Sequence, residues 1–460
     1  MLRQAHFTRM HSGGCAAGVI DADTTHPKQI YAHNAIPGEE AEVEILRRQR
    51  GFRMGVVHRL LKTSPDRVTP FCPHAQVCGG CNWQHISYPK QLYWKREILV
   101  NALSKYNIIT PPVPEVVPSP LLQGYRNKSE YAFAAGEMPL FGFHPKEDSA
   151  TVFPCETCFL QAPHVHPIAQ KLFDMAMELH IPLYHYPTRT GLLKTLQIRT
   201  STLGDTIAIV GFWDDPAIRE QAYLIHSLLS TAFQKIPQVH GWFYFMAKPK
   251  EKRCAFYPHY IHFGGAETLM ETLSNSKYRV SPASFFQPNP LQAQAICRQV
   301  VQYAQLSGVE TIYDLYTGVG TLAFQMASGA KWVMGIEGNP AAVLDAQHNA
   351  IINHIDNVQF LTGDVLETFT PEFIDNHPKA HLIILDPPRS GTLTEIKKTI
   401  LYAAPQKIIY VSCNPVSLAW DLKQLCEGGY CVTAIQPFDM FPHTQGGEVV
   451  CLLEDSKTVR

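Results

Sequence analysis

From residue 281 to the end of the chain, apolar segments of strand length alternate with segments of helix length. The pattern predicts a helix over 291–306 and strands over 309–315, 333–337, 358–361, 381–385 and 408–412. Strands that alternate with helices indicate a parallel sheet with helices on both faces. Ligands of such sheets bind beyond the carboxyl ends of the strands, so the residues at those ends are the first place to look for function.

Acidic residues follow four successive strands of this predicted sheet. The first strand ends at Asp314 and leads into Gly318-Val319-Gly320, whose glycines allow a tight turn and a close approach of ligand to backbone. The other acids are Glu337, Asp364 and Asp386. Helix capping explains any one of them but not all four, and the series resembles the S-adenosylmethionine-dependent methyltransferase fold. NAD binding is the main competitor, but the third glycine of its fingerprint is missing.

A cysteine, Cys413, follows the last of these strands and is expected at the same edge of the sheet. Most buried cysteines are inert core residues, but Cys413 stands between Ser412 and Asn414 at a strand end. Beside a methyl donor a thiolate has a specific use, because its addition to carbon 6 of uracil makes carbon 5 a methyl acceptor. A base then removes the proton from carbon 5, and elimination frees the cysteine.

Five segments, in this order along the chain, resemble the RNA uracil-5-methyltransferase family. They are FFQPN at 285–289, DLYTGVG at 314–320, LDPPRSG at 385–391, VSCNP at 411–415 and DMFPHT at 439–444. The resemblance implies a C-terminal, Rossmann-like class I methyltransferase domain, with Cys413 as nucleophile and Glu448 as base. The positions that it implies for S-adenosylmethionine binding are Gln287, Tyr316, Thr321, Glu337, Asp364 and Asp386.

The chain departs from the family pattern just before the implied base. Gly446-Gly447 stand where the family usually has a histidine and an apolar residue, and their backbone freedom leaves the placement of Glu448 open. A uracil within folded RNA must be extruded to reach a buried nucleophile. Phe285 and Phe286 are candidates for stacking on the extruded base, and they are equally compatible with a core position.

Three cysteines form a C-x5-C-x2-C pattern at Cys72, Cys78 and Cys81. Thiolates at this spacing indicate a metal site, and both zinc and an iron–sulfur cluster require a fourth ligand. Cys155 and Cys158 are the candidates, and spacing alone does not separate zinc from iron–sulfur. The family resemblance favours a [4Fe–4S] cluster with Cys158 as the fourth ligand. Methyl transfer requires no electrons, so the expected role is structural or RNA-positioning.

The N-terminal segment, 1–62, alternates short strand-like runs with turns, which predicts a small β-barrel of TRAM or OB-like type. Arg47, Arg48, Arg50 and Arg53 cluster on it, as either a solvated charged face or, by resemblance to TRAM domains, an RNA contact. An α+β domain containing the cysteines is expected over 63–280, and the methyltransferase domain over 281–460. A helix at about 88–110 is expected to pack on the C-terminal domain. Residues 124–128, GYRNK, are a further candidate substrate contact or a surface turn.

The formal net charge is -1, so RNA contacts must come from local basic patches. No stretch has the roughly 18 apolar residues of a membrane span, and a cytoplasmic protein without an obligate protein partner is expected. The predicted function is methylation of carbon 5 of a uridine in RNA, with 23S ribosomal RNA preferred because the chain resembles members that carry both TRAM and cysteine modules. The alternatives are a tRNA T-loop uridine and, from another class, a non-catalytic iron–sulfur RNA-binding protein.

Overall fold

The computed structural model describes residues 2–20, 28–49, 52–146, 148–215, 222–248 and 259–458. The chain folds into two compact units, one made of Met1–Pro120 with Leu385–Arg460 and the other of Leu121–Ile384. The boundaries expected at 62/63 and 280/281 divide the chain by type of element, and they stay a prediction. Within the described ranges no helix is both long and apolar enough to cross a membrane.

The elements are numbered in chain order. The strands are β1 (Leu2–Met10), β2 (Ala16–Ile20), β3 (Lys28–His33), β4 (Glu40–Gln49), β5 (Phe52–Lys62), β6 (Lys128–Ala134), β7 (Leu140–Phe143), β8 (Phe153–Pro154), β9 (Leu193–Thr200), β10 (Thr206–Trp213), β11 (Gly241–Ala247), β12 (Ile261–Gly265), β13 (Leu269–Leu273), β14 (Ser276–Val280), β15 (Thr311–Leu315), β16 (Trp332–Glu337), β17 (Val358–Thr362), β18 (Leu382–Leu385), β19 (Lys407–Ser412), β20 (Tyr430–Phe438) and β21 (Glu448–Asp455). The helices are α1 (Tyr88–Lys105), α2 (Val165–Glu178), α3 (Ala222–Lys235), α4 (Pro290–Ala304), α5 (Thr321–Ala327), α6 (Pro340–Ile352), α7 (Val365–Thr368), α8 (Pro371–Asn376), α9 (Thr394–Ala403) and α10 (Pro415–Glu427).

Strands β1 to β5 close into a barrel, as the sequence predicts, and their order is β1-β2-β3-β5-β4. The pairs are antiparallel except β3 with β5. Along β1 the residues that point inward are Ala5, Phe7 and Met10, and these bury almost completely. Trp83 and Ile86, from the segment before α1, join the same apolar core. The barrel core therefore includes residues that follow the barrel in sequence.

In the first unit, α1 packs against α10 and β1. Its start follows Ser87 and has a proline in the first turn, where the missing N–H costs nothing. The same unit contains β19, β21 and β20 as neighbours, all antiparallel. The sequence pattern predicted parallel strands only, and it did not predict β20 and β21.

The second unit contains a sheet in the order β12-β11-β10-β9-β6-β7-β8, with α2 and α3 packed on one apolar core. It also contains β17-β16-β15-β18, in which β15, β16 and β17 are parallel. The predicted strand over 309–315 starts at Thr311 instead, because the backbone N–H groups of Ser307, Gly308 and Val309 bond to the Glu310 carboxylate in a turn. Helix α4 ends before Gln305, which has a left-handed φ of 50°.

Candidate functional site

The turn after β15 is built around Asp314. This carboxyl is fully buried and accepts a hydrogen bond from the Thr317 hydroxyl at 2.5 Å. Burial raises the pKa of Asp314 to about 7. Gly318, with a φ of 59°, has no atom within 4 Å of where a Cβ would stand, so the backbone borders open space there. That opening fits the close approach of a ligand, the feature expected of a cofactor loop.

Glu337, at the end of β16, is held by backbone donors. One carboxylate oxygen accepts from the Gly318 N–H at 3.1 Å and the other from the Asn339 N–H at 2.8 Å. Each carboxylate oxygen has two lone-pair sites, so one on each remains for a ligand hydroxyl. This geometry is compatible with the predicted ribose contact, because the carboxylate is oriented before any ligand arrives.

The segment that carries Gln287 is held in place by hydrogen bonds to Asn127, Arg199 and Asp345. Asn127 donates from its amide to the Gln287 carbonyl at 2.9 Å. Arg199 donates to the carbonyls of Ser281 and Pro282 at 3.0 and 3.1 Å. Asp345 accepts from the Ser281 N–H and from the Ser284 hydroxyl. Asn127 lies in the candidate contact segment 124–128, and here it positions the Gln287 segment.

The two neighbouring phenylalanines differ in exposure. Phe286 is buried and packs against Tyr278, with ring centroids 5.7 Å apart. The Phe285 side chain is 64% exposed. Phe286 is therefore a core residue, and Phe285 keeps the prediction of a stacking surface.

The remaining predicted cofactor residues of the second unit lie around the same strand ends. Thr321 is the first residue of α5. Tyr316 has a left-handed φ of 66°, and its N–H donates to the Ile336 carbonyl at 2.9 Å. Asp364 caps α7 by accepting from the Leu366 N–H at 2.8 Å. For Asp364, helix capping is thus an observed role, and the cofactor contacts of all three stay predictions.

Cys413 and Glu448 meet at one end of the β19–β21 ladder. The final pair of this antiparallel register joins Ser412 to Val449, so the next residue of each strand is Cys413 on one side and Glu448 on the other. Cys413 is partly buried, and Glu448 is only 4% exposed. Among the described residues, no hydrogen-bond partner reaches Glu448 Oε2. Residues 35 positions apart in sequence are thereby brought together by strand pairing.

Each neighbouring charge shifts the pKa of Cys413 and the pKa of Glu448 in the same direction. Burial raises the pKa of Cys413 to about 11, the negative charges of Glu448 and Asp386 add to the rise, and Arg389 opposes it. Burial also raises the pKa of Glu448 well above its ordinary value, again with Asp386 adding and Arg389 opposing. The sequence did not predict this role for Arg389.

The close approach of a neighbouring strand explains why a glycine stands immediately before Glu448. A Cβ on Gly447 would stand 2.9 Å from the Phe438 carbonyl oxygen, on the strand that pairs with β21. Phe438 and Glu448 are themselves partners in the β20–β21 register. Glycine at 447 therefore allows a close backbone approach next to a strand residue that is firmly placed. The sequence left the placement of Glu448 open, and in the structure it is paired with Phe438 in the β20–β21 register.

Helix α1 contacts the segment 439–447, here called the base segment because it leads into Glu448. Lys95 forms a buried ion pair with Asp439 and also donates to the carbonyls of Phe441 and Gly446. Gln91 accepts from the His443 N–H at 2.9 Å. Tyr88 donates to the Asp439 carboxylate at 2.8 Å.

Comparison with known proteins identifies the family of this chain. A family model described as tRNA (Uracil-5-)-methyltransferase matches residues 243–456. An uncharacterized RNA methyltransferase of Bacteroides thetaiotaomicron is 34% identical over 443 residues, covering 92% of this chain and 96% of that protein. The chain belongs to the S-adenosylmethionine-dependent RNA uracil-5-methyltransferase family. A second uncharacterized RNA methyltransferase, from Thermotoga maritima, is 31% identical over 98% of this chain and 99% of its own length.

Among solved structures, the Pyrococcus abyssi tRNA (uracil-54, C5)-methyltransferase in complex with S-adenosyl-L-homocysteine is similar to this family member. Its TM-score is 0.76 at 27% identity, and the match covers 98% of this chain and 99% of that one. These findings confirm the predicted family, the multidomain methyltransferase fold with an N-terminal barrel, and the assignment as an S-adenosylmethionine-dependent RNA methyltransferase.

In the part of the chain that the structure describes, no metal site is found at the predicted ligands of this methyltransferase. Cys72, Cys78 and Cys81 belong to the first unit, and Cys158 belongs to the second. Over the described ranges, no three His, Cys, Asp or Glu side chains come together in a way that could hold a metal ion. Cys78 Sγ instead accepts from the Gly80 N–H at 3.3 Å. The structure thus gives no support to the [4Fe–4S] cluster, and no step of the reaction is assigned to it.

The described arginines of the basic rim predicted on the barrel of this methyltransferase lie on β4 and β5. Arg48 pairs with Arg53 across the two strands, and Arg47 is on the same strand β4. Arg50 lies outside the described residues. Arg59, farther along β5, is engaged by Glu42 at 3.1 Å. The RNA contact of this rim stays a prediction.

Proposed function

We propose that this enzyme transfers the methyl group of S-adenosylmethionine to carbon 5 of a uridine in RNA through a transient bond between Cys413 and carbon 6. The observation that carries the proposal is that Cys413 and Glu448 both adjoin Ser412–Val449, the last pair of the β19–β21 ladder. A nucleophile and a base at one end of an ordered sheet are the two groups that this chemistry requires.

In the proposed reaction, every bond that forms is matched by one that breaks. The Cys413 thiolate forms a bond to carbon 6, and the electrons of the carbon 5–carbon 6 double bond become an enolate over carbon 5 and the carbon 4 oxygen. Bound S-adenosylmethionine would supply the methyl group: carbon 5 takes it as the bond from the sulfonium sulfur to the methyl breaks, and S-adenosyl-L-homocysteine leaves. Glu448 then accepts the proton of carbon 5, the double bond re-forms, and the bond from sulfur to carbon 6 breaks. One proton is released per methyl group transferred.

The raised pKa values of Cys413 and Glu448 suit this order of events. Two anions side by side are disfavoured, so the ionised forms of Cys413 and Glu448 oppose each other. Once sulfur is bonded to carbon 6 it carries no charge, and Glu448 can ionise more easily as the reaction reaches the step that needs a base. Arg389 favours the charged form of each group in turn.

Gln287, Tyr316, Thr321, Glu337, Asp364 and Asp386 are the residues that we propose for cofactor binding. The support is strongest for Glu337, whose carboxylate is oriented by two backbone amides. Asp386 is the residue of this set whose charge also acts on Cys413 and Glu448.

The proposed covalent chemistry is tested with RNA that contains 5-fluorouracil. Fluorine at carbon 5 leaves no proton to remove, so an enzyme that follows this route is trapped on its substrate after methyl transfer. We expect a stable protein–RNA adduct with the native chain and none with Cys413→Ala, which should still bind the cofactor. Retained turnover by Cys413→Ala would refute the covalent route. A non-catalytic RNA-binding protein would form no adduct at all.

Glu448→Gln separates the base from the nucleophile. We expect methylation to proceed on ordinary RNA while the adduct accumulates, because nothing removes the carbon 5 proton. Rapid release of methylated RNA would assign the base to another group. The glutamine is close in shape to the glutamate, so the strand pairing with Phe438 should persist.

For the substrate we propose 23S ribosomal RNA, supported by the resemblance to family members with both a TRAM-type barrel and a cysteine module. The second candidate is a tRNA uridine, favoured by the likeness to the Pyrococcus abyssi tRNA (uracil-54, C5)-methyltransferase. Mass mapping of 5-methyluridine in ribosomal and transfer RNA, from cells with and without this protein, decides between them. Loss of the mark from tRNA alone would overturn the ribosomal assignment.

We also propose, from the family resemblance alone, that Cys72, Cys78, Cys81 and Cys158 hold a [4Fe–4S] cluster with a structural or RNA-positioning role. Iron and acid-labile sulfide are measured in protein purified without oxygen. Cys158→Ser should lose both, and Cys155→Ser should lose neither. Protein that lacks iron from the start would refute the cluster, and the reverse result for the two serines would reassign the fourth ligand. Full activity of cluster-free protein would refute the role.

A further inference from the structure

We propose that Lys95 is a positioning residue for the base of the reaction, acting on Glu448 through the base segment 439–447. The inference rests on the proposed function, in which Glu448 removes the proton of carbon 5. Lys95 lies on α1, more than three hundred residues before the segment that it contacts. Its own ammonium group does not touch the reacting atoms in this assignment.

The hydrogen bonds of Lys95 account for every proton of its ammonium group. It pairs with the Asp439 carboxylate and donates to the Phe441 carbonyl at 3.0 Å and the Gly446 carbonyl at 2.6 Å. A lysine ammonium has three donors and no acceptor, so none is left over. The side chain is almost fully buried. A buried charge is tolerated when it is paired and hydrogen-bonded, which is the case here.

The three acceptors lie at both ends of the base segment. Asp439 is its first residue, and Gly446 is two residues before Glu448. One ammonium group therefore ties the start of the segment to its end and sets the entry into β21. The Oε2 atom of Glu448 has no hydrogen-bond partner among the described residues. No hydrogen bond thus fixes this oxygen of Glu448, and Lys95 holds the backbone two residues before it.

Other residues of α1 and of the segment before it hold the middle of the base segment. The His443 N–H donates to Gln91, and the His443 carbonyl accepts from the Trp83 N–H at 2.9 Å. Tyr88 donates to Asp439 and accepts from the Ser119 N–H at 2.9 Å. Loss of Lys95 would therefore shift the segment locally and leave its centre attached. Cys413 follows β19 and is not part of this segment, so addition to carbon 6 is expected to be affected less.

The test compares two rates in single-turnover reactions with labelled S-adenosylmethionine. The first is methyl transfer into the protein–RNA adduct, and the second is release of methylated RNA from it. We expect Lys95→Met to slow release at least tenfold and methyl transfer less than threefold, so that the adduct accumulates on ordinary RNA. The double variant Lys95→Met with Asp439→Asn should show the same split without a buried unpaired carboxylate.

Lys397→Met is the matched control. Lys397 forms a buried ion pair with Asp421, donates to the Thr392 carbonyl, and shares Asp421 with the hydroxyl of Tyr410. It offers the same chemistry as Lys95 without contacting the base segment. We expect it to lower thermal stability while leaving the ratio of the two rates unchanged.

The outcomes distinguish a positioning role of Lys95 from a purely structural role and from a wrong assignment of the base. If Lys95→Met, or the double variant where the single one does not fold, slows both steps by one common factor as the control does, Lys95 is only structural and the inference is wrong. If Glu448→Gln releases RNA at the native rate, the base assignment itself fails whatever Lys95 does. Accumulated adduct in Glu448→Gln and in both Lys95 variants, with none in Lys397→Met, is the result that we expect.

Discussion

Gly447→Ala measures how closely the strand before the base must approach its neighbour. The new Cβ would stand 2.9 Å from the Phe438 carbonyl oxygen, about half an ångström inside ordinary contact. Because the neighbour is backbone in a paired strand, it cannot rotate away, and one of the two chains must move. Overpacking of this kind costs about 1–3 kcal/mol. For a unit of this size that corresponds to a fall in melting temperature of roughly 2–12 °C.

The effect on the reaction follows from the position of the glycine, immediately before Glu448. A misplacement of about 1 Å can cost roughly a hundredfold in rate, so half that shift corresponds to about tenfold. We expect the loss to fall on the release of methylated RNA from the adduct, which single-turnover reactions measure.

Gly446→Ala is the control for this substitution. A Cβ on Gly446 would meet side-chain atoms, those of Phe441 at 3.0 Å and Thr444 at 3.3 Å, which can rotate. We expect less than a threefold change in the release rate and a smaller fall in melting temperature. Equal effects of the two alanines, on stability and on release, would refute the reasoning that the Phe438 carbonyl is the constraint.

Three further predictions concern the charges of the two units. Because the pKa of Cys413 is raised to about 11, the rate of its alkylation by iodoacetamide, measured by peptide mass, should rise about tenfold per pH unit from 7 to 10. Arg389→Gln, which removes the opposing cation, should slow this alkylation several-fold at pH 8. An alkylation rate that levels off by pH 9 would contradict the raised pKa. Because the pKa of Asp314 is raised to about 7, the stability that its neutral form contributes is present below about pH 4 and is lost as pH rises through 7. Asp314→Asn should therefore stabilise the protein more at pH 8 than at pH 5, by roughly 2 kcal/mol in unfolding measurements, and a pH-independent difference would show that Asp314 stays charged. Glu337→Ala should weaken the binding of S-adenosyl-L-homocysteine about tenfold in calorimetry, since it removes an acceptor oriented by Gly318 and Asn339. Unchanged affinity would show that Glu337 is not part of the cofactor site.

The features that the sequence predicted are those with a local signature. The barrel strands and the strands β15 to β19 have periodic apolar patterns, and the ends of β15 and β16 identify Asp314 and Glu337. Cys413 is predictable because it follows an apolar strand within a polar motif. These inferences need only a few neighbouring residues, which is why one sequence suffices for them.

The features that escaped prediction depend on residues far apart in the chain. Nothing near Lys95 in sequence indicates that it contacts the base segment 344 residues later. The roles of Asn127 and Arg199 in holding the segment of Gln287 are likewise set by tertiary contacts. Antiparallel β21 was missed because its apolar run has no helix before it. For Phe285 and Phe286, adjacent residues of one type, only the fold separates the exposed ring from the buried one.

The hydrogen bonds between α1 and the base segment limit how this chain can be divided or recombined. A shortened protein that begins after residue 120 would keep the sulfur, the acid and every cofactor position, yet would lack the helix that orients the acid. Hybrids made by exchanging the N-terminal quarter between relatives should accordingly inherit their rate of product release from the donor of that quarter. Substrate choice and turnover would then be separable by choosing where the two parents are joined.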